Sequence, residues 1–270
     1  MWRFSYRSLR TMTRKLKETY EKWGLAVNLN KTKYLCIGGT HKNLKLDKDN
    51  EIEFCQEYKY LWLIFDTSGT DDKEIRLRVI QTWKYIACLN WVLWSKDKRK
   101  ERKLNIYNAL IKNSLLYGAE TWRLTENNKR RFEATEMDGL RRSSRISRTD
   151  RIRNVTIKHK IGLEETIIKQ IEQNQLTWYG HVQRMAKGRL PKIAMKWMPK
   201  QKRARGRSKK SWMEGIKKAM NERNLNEGQW GDRKQWSLGV GQRTKTFWNR
   251  YIYTLRTMTV AYTRLFPSPV

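Results

Sequence analysis

A chain with 59 lysines and arginines against 26 aspartates and glutamates, a formal net charge of +33 over 270 residues, repels itself on compaction. Such a chain gains by meeting a polyanion. Nucleic acid, an anionic membrane surface and an acidic protein tail are the partners that satisfy this charge. Nucleic acid leads, because the cations are spread along the chain and interleaved with 13 Trp and 12 Tyr. Aromatic faces stack on bases while the cations neutralise phosphates. Hydrophobic residues make up 39% of the chain, below the usual ~45–50%. A core can form, but it is not a rich one.

Other classes fall away by the same reasoning. Cys36, Cys55 and Cys88 form no CxxC pair, and His41, His159 and His181 lie near no cysteine, so neither a disulfide framework nor a metal site is expected. No run of about 18 apolar residues is present, and MWRFSYRSLR lacks the apolar centre of a secretory signal. An intracellular protein, nuclear or cytoplasmic, is expected, with RNA and/or DNA as partner and no membrane. Nothing in the residues sets an oligomeric state.

Periodicity predicts a helix from Thr13 to Trp23 with Leu16, Tyr20 and Trp23 on one face, stopped by Gly24. Alternation at Leu25, Val27 and Leu29, a turn at Asn30-Lys31 and an apolar run from Tyr34 to Ile37 predict a β-hairpin. Ile52 and Phe54, then Tyr60 to Phe65, read as further strands. Thr70, Asp71 and Asp72 open a long helix whose predicted buried stripe is Ile75, Val79, Ile80, Trp83, Ile86 and Ala87. After a cationic linker, Lys96 to Lys103, a helix carries Leu104, Tyr107, Leu110, Ile111 and Leu115. Further helices are predicted from Asn127 to Leu140, Glu164 to Leu176 and Trp212 to Arg223. From Lys187 to Lys210 eleven cations and no acid are interrupted by Pro191, Pro199 and Gly206, which reads as extended and flexible.

Three constellations bear on chemistry. Asp71-Asp72 has the carboxylates of a two-metal polymerase centre, but it follows Ser68-Gly69-Thr70 at a helix start, where capping explains it better. The cations Arg141, Arg142, Arg145, Arg148, Arg151 and Arg153 fall near helical spacing and could form one phosphate-tracking stripe. Lys202, Arg203, Arg205, Arg207, Lys209 and Lys210 surround an Arg-Gly-Arg tripeptide suited to phosphates or a narrow minor groove.

The blocks KETYEKWGLAVNLNKTKYLCIGG, EYKYLWLIFDTSGTDDKEIRLRV, LLYGAETW, EMDGLRRSSRISRTDRIRN and QLTWYGHVQRM…RLPK occur in this order between about Arg14 and Gly239. Together they resemble the C-terminal third of insect-type non-LTR retrotransposon reverse transcriptases. The resemblance implies that Lys31, with Lys33 as second choice, is the palm lysine near the nucleotide pyrophosphate. It also implies that Tyr60, Leu61 and Trp62 form the primer-contacting turn. The family has Gly where Trp62 stands, and Trp does not offer the close backbone approach of Gly. The family's magnesium-binding Asp pair is not found here, so this chain is expected to bind no cofactor and to lack polymerase activity alone.

The expected fold class is α+β. A palm-like remnant would span residues 1–66, a helical thumb-like region 67–140, a basic nucleic-acid-binding region 141–238 and a weakly structured tail 239–270. Two alternatives accompany this reading. One is an incomplete gene model of an active endonuclease and reverse transcriptase; the other is a domesticated DNA-binding protein.

Overall fold

In a computed structural model of the protein, residues 6–37, 42–47, 50–163, 165–196 and 211–241 are described. The fold is α+β and predominantly helical. It divides into two compact units, one centred on Met1–Leu77 and the other on Arg78–Ile193 with the C-terminal helices. The division falls inside a helix, whereas the sequence-drawn boundary follows residue 66.

The first unit opens with α1 (Tyr6–Lys22), which begins seven residues earlier than its apolar face announces. Three short strands follow: β1 (Lys33–Tyr34), β2 (Leu44–Lys45) and β3 (Glu51–Phe54). β3 is central, parallel to β1 and antiparallel to β2. The expected hairpin over residues 25–37 is therefore not formed. Residues 25–28 take no regular structure, and β1 finds its partner twenty residues on, pairing Lys33 with Glu53.

Leu44, Leu46 and Ile52 make a small core, covered by Leu9, Leu29 and Tyr34. Much of the docking of α1 is polar. Tyr6 Oη donates to the Asn43 carbonyl at 2.7 Å, and Arg10 Nε and Arg14 Nη2 both donate to the Leu46 carbonyl. This suits a segment with so few apolar side chains to bury.

Next comes a tight hairpin of β4 (Glu57–Tyr60) and β5 (Leu63–Asp66), with Tyr60 paired to Leu63. Tyr60 to Phe65 is thus two strands and a turn, not one strand. Leu61 and Trp62 are the central turn residues, both at positive φ (47° and 67°), the conformation of a type I′ turn.

The second unit is a helical assembly, entered through α2 (Asp72–Cys88) and followed by α3 (Asn90–Trp94) and α4 (Lys100–Ile106). A π-helical stretch, Tyr107–Lys112, continues α4 into α5 (Asn113–Leu116). After a 3₁₀ turn at Ala119–Thr121 come α6 (Glu126–Ser143), α7 (Asn154–Ile161) and α8 (Ile167–Arg184). The described chain ends with α9 (Leu190–Lys196), α10 (Trp212–Asn221) and α11 (Arg233–Val240).

The expected extended segment is corrected at α9, where Pro191 lies in the first turn and forfeits no intrahelical hydrogen bond. The stripe predicted for α2 is corrected as well. Ile75, Val79, Thr82 and Ile86 are buried, while Ile80, Trp83 and Ala87 face solvent.

Ile86, Leu93, Tyr107, Ile111, Met137, Leu140, Ile146, Ile157 and Ile161 form the main core of this unit. Two of the sequence blocks meet beside it. Buried Gln175 on α8 donates through Nε2 to the carbonyls of Ala119 (3.0 Å) and Trp122 (2.8 Å), holding the 3₁₀ turn. Farther along α8, Tyr179 packs with Trp230 and Trp236, and Trp236 Nε1 donates to the Leu176 carbonyl at 3.1 Å.

Candidate nucleic-acid interface

The six clustered arginines do not lie on one helix. α6 ends in a Schellman motif: the Ile146 N–H donates to the Arg141 carbonyl at 2.9 Å and the Arg145 N–H to the Arg142 carbonyl at 3.1 Å. Three other helices end in the same way with Gly24, Gly162 or Asn224 at the left-handed position, whereas here Arg145 occupies it at φ 56°. Ile146, directly after, drops into the core beside Leu140. The reversal ends the helical register, so the stripe expected over residues 141–153 is replaced by a loop running to α7.

That loop is built by the arginine at its root. Arg141 donates to the Ser147 carbonyl (3.2 Å), the Ile152 carbonyl (2.6 Å) and Asn154 Oδ1 (2.9 Å), which draws both ends of the loop to α6. The Asp150 carboxylate accepts the Ser147 N–H at 2.7 Å and shapes the tip. Arg142 is also engaged, donating to Asp138 Oδ2 (3.1 Å) and Asn90 Oδ1 (2.5 Å). Arg145, Arg148, Arg151 and Arg153 are exposed. The six candidates thus separate into two that build the site and four that face solvent.

Behind the loop, a buried ion pair fixes α7 and α8 to α6. Glu136 is 3% exposed; its Oε2 accepts from Lys158 Nζ at 2.6 Å and its Oε1 from the Ile167 N–H at 3.0 Å. Ile167 is the first residue of α8, so the carboxylate also sits at the positive end of that helix. Nothing in the local sequence marks Glu136 for this role. On the neighbouring helix Lys103 is buried, and burial first, then the charge of Arg145, lowers its pKa.

The loop borders a groove of about 510 Å³ lined by Trp83 and Ala87 of α2, Trp94 of α3, Asp138 and Arg142 of α6, and Arg148. Trp83 is 50% exposed and Trp94 36%, and Trp91 nearby is 73% exposed. Periodicity had placed Trp83 in the buried stripe of α2; the structure turns it outward.

The remaining candidates lie elsewhere. Lys31 is exposed in the turn before β1, where its N–H donates to Asn28 Oδ1 at 3.1 Å. Lys33 is paired with Glu53 across β1 and β3, and that hydrogen bond raises its pKa. Tyr60, Leu61 and Trp62 are exposed at the tip of the β4–β5 hairpin, with Lys59 Nζ lying 4.0 Å over the Trp62 ring. Lys202, Arg203, Arg205, Arg207, Lys209 and Lys210 lie outside the described residues, as does most of the 239–270 tail.

A two-metal centre does not fit the acids present. Asp72 is in the first turn of α2, the Asp71 carbonyl accepts the Ile75 N–H, and Glu74 Oε2 accepts the Ile64 N–H at 2.7 Å. Among the described residues no group of three or more His, Cys, Asp or Glu is placed to hold a metal ion. Nor is any helix among them long and apolar enough to cross a membrane.

No family model and no solved structure matches the chain. It is 25% identical over 263 residues to an uncharacterised transposon-derived protein of Caenorhabditis elegans, spanning 87% of this chain and 90% of that one. The similarity supports a transposable-element origin for the chain.

Proposed function

We propose that this chain is the nucleic-acid-gripping C-terminal part of a non-LTR retrotransposon reverse transcriptase, binding RNA or DNA with little sequence preference. The observation that carries the reading is the α6–α7 loop, which Arg141 holds in shape while Arg145, Arg148, Arg151 and Arg153 face solvent. Four exposed guanidiniums on a braced loop offer phosphate contacts at low ordering cost. The transposon-derived relative supports the origin, and the five sequence blocks support the polymerase assignment.

In this reading the first unit is the palm remnant, with Lys31 as the lysine facing the nucleotide and the Tyr60–Leu61–Trp62 turn facing the primer. The helices from α2 to α6 correspond to the thumb. The chain by itself binds no magnesium pair and does not extend a primer.

Equilibrium binding to several unrelated RNA and DNA sequences of equal length tests the proposal. Affinities within a few-fold of one another support it, and strong preference for one sequence overturns the phosphate-led reading. Templated nucleotide incorporation by the purified chain would overturn the expectation of inactivity.

A further inference from the structure

α2 and α3 each place a tryptophan where the fold does not bury it. Its buried face is complete with Ile75, Val79, Thr82 and Ile86, yet Trp83 lies half-exposed on the other side. Trp94, at the end of α3, opens onto the same groove. Ordinary soluble helices put charge at such positions, because exposed indoles cost solubility. Here the surrounding groups are cationic. Arg142 and Arg148 line the groove, and the one acid among them, Asp138, is ion-paired with both at 3.1 Å and 3.6 Å.

The two arginines differ in readiness. Arg142 is fixed by Asp138 and Asn90, which use two of its five N–H donors. Arg148 is 76% exposed, and its long contact with Asp138 is easily exchanged for a phosphate. The groove therefore combines apolar π-faces, a pre-set guanidinium and an exposed one.

A volume of about 510 Å³ lies within the range of sites that hold small organic groups, roughly 300–1,000 Å³. A duplex offers only phosphates to such a surface, because its bases are already stacked on each other. An unpaired strand offers both phosphates and free base faces.

We infer that this groove is a single-strand site, in which Trp83 and Trp94 stack unpaired bases while Arg142 and Arg148 hold the flanking phosphates. The inference rests on the nucleic-acid reading and adds to it the location of the site and the state of the ligand. Single strands bind here in preference to duplexes of the same length, and the preference comes from the indoles. An acidic polypeptide matches the arginines but leaves the indoles without a stacking partner.

The test is fluorescence titration of the full chain with oligo(dT) and with a blunt DNA duplex of equal length, at one fixed salt concentration. Loss of both indoles in Trp83→Ala with Trp94→Ala lowers oligo(dT) affinity by about 5- to 150-fold for each stacked base, and leaves duplex affinity within two-fold. The paired variant Trp83→Phe with Trp94→Phe retains most of the oligo(dT) affinity, which separates stacking from any damage to the fold.

Unchanged oligo(dT) affinity in the alanine variant, with the native chain still binding, overturns the groove assignment and leaves the general nucleic-acid reading intact. Equal loss for oligo(dT) and duplex overturns the single-strand preference. Poly-glutamate binding as tightly as oligo(dT) overturns the assignment in favour of an acidic chain. Binding of neither nucleic acid by the native chain overturns the broader reading, and this inference with it.

Discussion

Replacing Glu136 is the sharpest test of how the basic loop is held. Its carboxylate is almost fully buried and does two jobs at once, pairing with Lys158 Nζ at 2.6 Å and accepting the first N–H of α8 at 3.0 Å. Glu136→Ala leaves the Lys158 ammonium, whose side chain is 16% exposed, without its partner, and leaves the Ile167 N–H without an acceptor. Breaking a buried pair from one side costs about 3–5 kcal/mol, and the residual water contact of Lys158 places the value near the lower end. Glu136→Gln keeps an oxygen for Ile167 and removes only the charge, so about half of that loss is expected. Glu136→Leu combined with Lys158→Met removes both charges and recovers most of the stability.

Urea unfolding followed by far-UV circular dichroism gives the three values, and hydrogen exchange at the Ile167 amide gives the local one. Protection at Ile167 should fall in the alanine variant and survive in the glutamine variant. A Glu136→Ala protein within about 0.5 kcal/mol of the native chain would refute the role assigned to this pair.

Three further substitutions separate packing, backbone and desolvation. At Gly180 a Cβ would lie 2.3 Å from Trp236 Nε1, so Gly180→Ala must expel the indole and its bond to Leu176; a loss of about 2–4 kcal/mol is expected, and an unchanged melting temperature counts against it. Arg145→Gly relieves the left-handed backbone and should raise stability by about 1 kcal/mol, while weakening nucleic-acid binding and making its salt dependence shallower. The Tyr107 hydroxyl is buried with no hydrogen-bond partner among the described residues, so Tyr107→Phe should be stabilising by about 1 kcal/mol in urea unfolding; a clear loss of stability would refute this.

Helices with strong apolar periodicity were legible in the sequence, among them α1, α2, α6 and α10, because their signal is local. α10 even carries its start signal, a capping box between Ser211 and Glu214. What escaped depends on distant partners or on unmarked backbone. β1 pairs with β3 across intervening residues, so the alternation at Leu25, Val27 and Leu29 pointed to a hairpin that does not form. The reversals at Leu61–Trp62 and at Arg145 take positive φ without the Gly or Asn that normally announces it. As a result one hairpin read as a strand, and one helix-loop-helix read as a helical stripe.

The candidate site was half legible for the same reason. Composition and spacing pointed to residues 141–153, but which arginines build the loop and which face solvent follows from Arg141 reaching the Ile152 carbonyl. The outward face of α2 with Trp83 was hidden because helical periodicity placed Trp83 in the buried stripe. α11, unread in the sequence, is held by the Asp232 side chain accepting the Lys234 and Gln235 N–H groups, a cap within an otherwise weak pattern.

The central claim, that this chain grips nucleic acid through phosphates and does so from the α6–α7 loop, is tested most directly by its salt dependence. Binding of the native chain to a single-stranded oligonucleotide, measured across salt concentrations, should give a log–log slope of about −3 or steeper from the four exposed arginines alone. Changing Arg145, Arg148, Arg151 and Arg153 together to Ala should remove most of that slope. A flat response in the native chain, or a steep one that the four substitutions leave untouched, would contradict the account.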